Sequence, residues 1–236
     1  FATKQEFRGS QDQKAYQDKL AGARFLEFLR KRLVFLHELL SEDGSIYVHL
    51  DWKKGHYVKT IMDEVFGEDN FRNELIWKRK TSSASKESIA NSHDTLYYYS
   101  KSHNPLFNQC YGDYGEDYLK AQFVKDKDGR MYRRHDVVAN PALGGDSPRY
   151  EYKGYIPETR WLISKEKLIE LDKAGKIEWS STGRPYRKLY LDELEGQPLS
   201  DIWVDIPIVA GLEKYDYPTQ KPEALLDRII RASSNP

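Results

Sequence analysis

Between Leu20 and Ser100 the hydrophobic period switches back and forth, and that rhythm restricts the fold more than any other feature of the chain. Apolar residues return at Phe25, Leu29, Leu33, Leu36 and Leu40, which is one face of a helix over 20–40, with Arg30, Lys31 and Arg32 on the other side. Asp43-Gly44 is a turn signal that stops it. The run Ser45–Asp51 then alternates, with Ile46, Val48 and Leu50 on one face of a strand. A second helix is predicted over 54–66, ending at Gly67. Strands are predicted over Glu74–Lys78 and Thr95–Ser100, separated by the Ser- and Lys-rich loop Arg79–Ser92. Helix, strand, helix, strand predicts an α/β sheet.

Residues 104–200 break the rhythm. Gly, Pro, Tyr and charge dominate, turn clusters stand at 140–145 and 182–185, and one helix stands out at Ser164–Ala174 with Ser164 as its N-cap. The stretch reads as an inserted, partly irregular module. After it, Asp201–Ile206 precedes a Gly-containing loop, and Pro222–Ala232 forms a helix with proline at its start. The expected organisation is a core over 1–103, an insert over 104–200 and a return to the core over 201–236.

Formal net charge is zero, yet residues 120–190 hold 16 basic and 10 acidic side chains while 191–236 hold 4 and 9. Such asymmetry suits a region that faces a polyanion, and equally a solvated mixed surface. Tyrosines interleaved with Lys and Arg suit base stacking and phosphate contact, and also an ordinary core. The lone Cys110 excludes a disulfide framework and a multi-Cys zinc site. No apolar run approaches the ~18 residues of a membrane helix, and no signal-peptide pattern opens the chain, so a cytoplasmic protein without membrane or metal is expected. Walker A, GxGxxG, HExxH and CxxC motifs are absent, as is a nucleophile elbow; a Ser-His-Asp triad stays open, because its members need not be close in sequence.

Four segments remain, in a particular order. Phe1 and its polar loop come first, then the strand ending His49-Leu50-Asp51. Asn73-Glu74-Leu75-Ile76-Trp77-Lys78-Arg79 with His93-Asp94-Thr95 is third, and Tyr217-Pro218-Thr219-Gln220-Lys221-Pro222-Glu223-Ala224-Leu225-Leu226 is last. At these residues the chain resembles the β-class amino-DNA methyltransferases, in which the catalytic motif precedes the target-recognition region and cofactor-binding motifs follow it. The TQKPEALL string is the most specific match. The YEYKGY segment, the W-x-x-SKEKL helix, GRPYRK-LYLDE and SDIW resemble the adenine-specific members, including type III modification subunits.

The resemblance implies an α/β, doubly wound, Rossmann-like sheet of the S-adenosylmethionine-dependent methyltransferase type, incomplete, with an inserted target-recognition module. It implies methyl transfer from S-adenosylmethionine to adenine N6 of a base flipped out of duplex DNA. It also implies that the catalytic Asp-Pro-Pro lies just upstream of Phe1 and the Gly-rich cofactor loop just after Pro236, so this stretch alone is expected to be inactive. Phe1 is then the base-stacking aromatic, against a frayed terminal residue.

Asp51 ends a strand expected to be parallel, where open α/β sheets place ligands. It lines the site or caps the next helix. Trp77 walls the adenine pocket or lies in the core, and His49 reads as a core histidine. Thr219, Gln220, Lys221 and Pro222 are implied to hold the cofactor at its methionine end, Lys221 near the carboxylate and Pro222 opening a helix whose dipole favours an anion; a plain helix start is the alternative. Arg79, Lys80 and Lys86 are implied to face DNA phosphates, and Arg130, Arg133, Arg134, Lys153, Arg160, Arg184, Arg187 and Lys188 to supply DNA contacts from the insert. Cytosine-N4 transfer is the rival within the class, since the residue bearing on it precedes Phe1; a non-catalytic DNA-binding remnant is the rival outside it. A restriction subunit or a second copy of the chain would be the protein partner.

Overall fold

The computed structural model describes residues 22–79, 87–140, 149–215, 217 and 219–235. Phe1, Lys80 and Lys86 lie outside the described residues. Two compact units divide the chain: Phe1–Cys110 with Pro198–Pro236, and Tyr111–Gln197. Chain order is α1 (Ala23–Leu39), β1 (Ser45–Leu50), α2 (Gly55–Phe66), β2 (Phe71–Lys78) and β3 (His93–Ser100). The intervening stretch carries β4 (Tyr111–Gly112), α3 (Glu116–Gln122), β5 (Val124–Lys125), β6 (Met131–Asp136), α4 (Lys165–Lys173), β7 (Ile177–Trp179), β8 (Pro185–Tyr190) and β9 (Gln197–Pro198). The chain returns through β10 (Ile202–Trp203) to α5 (Glu223–Ser233).

In the first unit the sheet order is β1-β3-β2-β10. The crossover through α2 sets β1 and β2 in the same direction, and β10 pairs parallel to β2. β3 runs antiparallel to β1 and to β2, between which it inserts. The expectation that Asp51 ends a parallel strand therefore needs correction: β1's neighbour is antiparallel. β3 follows β2 in the chain and pairs beside it in the opposite direction. The consequence for the site survives, because β1, β2 and β10 all end at the edge where β3 begins. Leu50 pairs with Thr95, and Trp77 with Asp94.

Alternation along the strands builds two cores. Ile46, Val48, Leu50, Tyr97 and Tyr99 face α1 and α2, packing on Leu33, Val58, Met62 and Phe66. Leu75, Trp77, Leu96, Tyr98 and Trp203 face α5, packing on Leu225 and Ile229. The sheet thus carries helices on both faces. α1 sits rotated from its expected face: Leu36 is 44% exposed, and His37 turns inward to meet the Phe66 ring edge-on at 5.0 Å. The buried ridge runs Leu26, Leu29, Leu33, Leu40, closer to the 3.6-residue period than a line through Leu36. α2 ends at Gly67, whose φ of 85° suits glycine.

The second unit is more regular than its composition suggests. β5-β6-β8-β7 form a four-stranded sheet with antiparallel neighbours. Ser164 caps α4, accepting the Lys167 N–H at 3.2 Å, and α4 buries Leu168 and Leu171 beside Ile177 and Trp161. Trp161 is buried, stacks on Tyr150 at 4.8 Å and 7°, and donates its indole N–H to the Tyr150 carbonyl at 2.8 Å. Trp161→Ala should cost about 3–5 kcal/mol of stability in this unit. Native-state hydrogen exchange should show the loss in β6, β7, β8 and α4; unchanged protection there would contradict this core assignment.

Candidate functional site

The edge where β1, β2 and β10 end collects the chemically distinctive side chains of the first unit. Asp94 is the second residue of β3 and only 8% exposed. A carboxylate withdrawn that far from water is costly unless paired. His49 Nε2 lies 3.0 Å from Asp94 Oδ2. An ionised carboxylate only accepts, so His49 carries its hydrogen on Nε2. Arg79 Nε stands 2.9 Å from Asp94 Oδ1, an ion pair off the N–H direction. Burial would raise the Asp94 carboxyl, but the His49 hydrogen bond and the nearby charges of Arg79 and Lys221 outweigh it and hold it below its ordinary value.

Lys221 reaches the same edge from the turn before α5. Burial pulls its ammonium below the ordinary lysine value; Asp94 opposes that shift and Arg79 adds to it. A partly dry ammonium beside a guanidinium favours an incoming anion. Gln220 builds this turn: its Nε2 donates to the Glu213 carbonyl at 2.7 Å and its Oε1 accepts the Tyr215 N–H at 2.8 Å. Lys221 Nζ lies 3.4 Å from the Thr219 carbonyl. Pro222 is the N-cap of α5, and the Glu223 N–H is already taken by the Glu213 carboxylate at 2.7 Å. An internal anion thus occupies a donor of that helix start.

The other expected residues are placed as follows. Trp77 is 3% exposed in the core beneath this edge, donating its indole N–H to the Ile206 carbonyl at 2.8 Å and meeting the His49 ring at 5.6 Å. Asp51 follows β1 and folds back, its Oδ1 accepting the Lys53 N–H at 3.0 Å in the turn that leads into α2. The structure brings His49, Trp77, Arg79 and Lys221 together around Asp94. Asp94 carried no separate role in the sequence; the His93-Asp94-Thr95 string was its only signal, because pairing across β3 is not visible from spacing.

In the second unit most expected DNA-contacting cations are already paired. Arg130 grips Asp192 through two bonds of 2.9 and 2.7 Å and also reaches Glu193. Arg134 takes Glu178, Arg184 takes Asp136, and Lys188 takes Asp126. Lys153 pairs with Asp172. Arg133 and Arg187 have no ion pair among the described residues.

A cavity of about 100 Å³ lies on the α5 face of the first unit, lined in part by Tyr47, Tyr98, Cys110, Trp203 and Arg228. Sites for drug-sized ligands start at roughly 300 Å³, so it is too small for a nucleoside cofactor. Among the described residues no group of three His, Cys, Asp or Glu is arranged to hold a metal, and no helix is long and apolar enough to cross a membrane.

Residues 2–236 match the family model described as DNA methylase. A type II methyltransferase of Enterobacter cloacae, M.EcaI, is 33% identical over 247 residues, covering 100% of this chain and 53% of the relative. M.KpnI of Klebsiella pneumoniae, also a type II methyltransferase, is 28% identical across 77% of this chain and 48% of its own. The Mod subunit of the type III restriction-modification enzyme StyLTI from Salmonella typhimurium is 25% identical over 92% of this chain and 36% of its own. The chain therefore spans about half, or less, of the length of these relatives. Matched along nearly its whole length, the chain belongs to the DNA methylase family.

Proposed function

We propose that the chain is part of a site-specific DNA methyltransferase that moves a methyl group from S-adenosylmethionine to the N6 amine of an adenine turned out of duplex DNA. The observation that carries this reading is the partly buried Lys221 ammonium at one sheet edge with Arg79 and Asp94, in the segment that resembles a cofactor motif. Adenine rather than cytosine is supported by the resemblance of residues 150–206 to adenine-specific enzymes. The second unit, Tyr111–Gln197, is the target-recognition module in this reading.

Bound S-adenosylmethionine supplies a methyl group already activated by a positively charged sulfur. Lys221 holds the cofactor's carboxylate, with Thr219, Gln220 and Pro222 shaping the turn. Asp94 keeps His49 and Arg79 aligned at the edge, and Trp77 backs it from the core. Phe1 stacks on the extruded base, an interaction worth about 1–3 kcal/mol per base against the few kcal/mol that extrusion costs. Asp51 borders the same edge, and Arg79, Lys80 and Lys86 neutralise nearby phosphates. An adenine N6 amine is a poor nucleophile because its lone pair is delocalised into the ring, so its protons must be accepted by a carboxylate and a backbone carbonyl.

Protein expressed from the complete gene should transfer tritiated methyl groups to duplex DNA, and nuclease digestion should release the label as N6-methyladenine. Label in N4-methylcytosine would replace the adenine reading, and absence of transfer would overturn the activity. Lys221→Ala should raise KM for the methyl donor about tenfold or more, the scale of a charge-assisted bond, with DNA affinity little changed. An unchanged donor KM would remove Lys221 from the cofactor site.

Asp94→Ala should cost about 3 kcal/mol at neutral pH, because it leaves the Arg79 guanidinium and the His49 N–H without their carboxylate. Asp94 ionises below its ordinary 3.8, so the stabilisation is complete above that value and is lost as pH falls through the lower folded value. Urea unfolding of the two proteins should differ most where Asp94 is ionised, and the gap should shrink as pH falls below the ordinary aspartate value. A gap that persists into acid would show that Asp94 acts through something other than its charge.

A further inference from the structure

The sheet of the second unit separates its charges by face. In the strand register, Tyr132, Arg134, Asp136, Tyr186, Lys188, Tyr190 and Glu178 share one side. That side is a closed network. Glu178 accepts from both Tyr132 and Arg134, and Asp126 accepts from both Tyr190 and Lys188. Arg184 joins it through Asp136. Every strand acid lies on this face, and each is engaged by a cation.

The opposite face carries Lys125, Arg133, His135 and Arg187, and no strand acid. His135 pairs directly with Arg187, and Arg133 is two residues from His135 on the same strand, so the three are contiguous. α4 and Trp161 cover the β7 end of this face around Ile177, and the basic residues run from that border toward β5. Lys125 and His135 are exposed, while Arg133 and Arg187 are half-buried. Neither arginine makes a side-chain hydrogen bond, ion pair or ring contact among the described residues. The Nε of each is withdrawn from solvent with no acceptor. A guanidinium has five donors and no acceptor, and leaving buried donors unmet is unfavourable. Arg133 and Arg187 meet no counter-charge among the described residues, so this face favours an anion from outside.

We infer that the face bearing Lys125, Arg133, His135 and Arg187 docks on the phosphodiester backbone of DNA, and that the oppositely facing Arg134 and Lys188 hold the unit together. The inference rests on the reading that this unit recognises DNA, and narrows it to one side of one sheet. Arginine suits the task because its planar fork matches a phosphate bidentately. Backbone contacts of this kind fix the orientation of the protein on the duplex without reading sequence.

The test is fluorescence anisotropy of a labelled mixed-sequence duplex with protein expressed from the complete gene, over a salt series. Each phosphate contact contributes about 0.9 to the slope of log K against log salt. Arg133→Gln with Arg187→Gln should reduce that slope by close to 2 and weaken binding at least tenfold at low salt. Arg133→Lys with Arg187→Lys should keep most of the slope. Arg134→Gln with Lys188→Gln should leave the slope unchanged while lowering the unfolding midpoint. An unchanged slope in the folded Arg133/Arg187 glutamine variant overturns the inference while leaving the DNA-binding reading intact. Unsubstituted protein that shows no salt-dependent DNA binding overturns both.

Discussion

A carboxylate that is nearly out of water at the start of β3 is the constraint on which the site depends. Asp94 is tolerated there because His49 and Arg79 reach it from the ends of β1 and β2, the two strands that flank β3. Those contacts fix where three strand ends meet. They also set the electrostatic field into which the turn before α5 delivers Lys221. Remove the carboxylate and the charges of Arg79 and Lys221 are left without it at the edge of an apolar core. The edge therefore combines rigidity, from core residues such as Trp77 and Leu96, with a charge arrangement that favours anions.

The helices and strands of the first unit were legible because each buries an apolar stripe of the matching period. Their existence and order follow from residues such as Leu29, Leu33, Val48 and Tyr97. The direction of the strands was not legible. Nothing in the spacing of residues 79–92 says whether the chain crosses over or returns beside β2, and that choice makes β3 antiparallel. The face that α1 buries was not legible for a related reason: His37 and Leu36 both fit a helical face, and packing against Phe66 selects His37. Of the edge residues, Lys221, Trp77 and Arg79 were marked by motif resemblance, whereas the partnership of His49 with Asp94 depends on cross-strand register.

The second unit was harder to read because its sheet is not built on apolar alternation. Met131–Asp136 contains two arginines, a histidine and an aspartate in six residues. One face of the strands is instead held by tyrosine hydroxyls and arginines on carboxylates, with rings stacked against cations, as where Arg130 lies 3.9 Å above Tyr190. A pattern search for hydrophobic residues at every second position passes over such a sheet. The same feature explains why a list of basic residues overstates the positive surface, since several of those cations neutralise acids within the unit.

In the proposed reading the chemistry is methyl transfer to DNA, and the Asp94 cluster marks the sheet edge where it would take place. A carbon-13 carboxyl titration of Asp94 by NMR tests that placement most directly. The account predicts a midpoint below the ordinary aspartate value that moves upward when Arg79 is replaced by alanine. A midpoint at or above the ordinary value, insensitive to Arg79, would mean that burial outweighs its partners, and the edge would lose the ionised centre on which the proposed function depends.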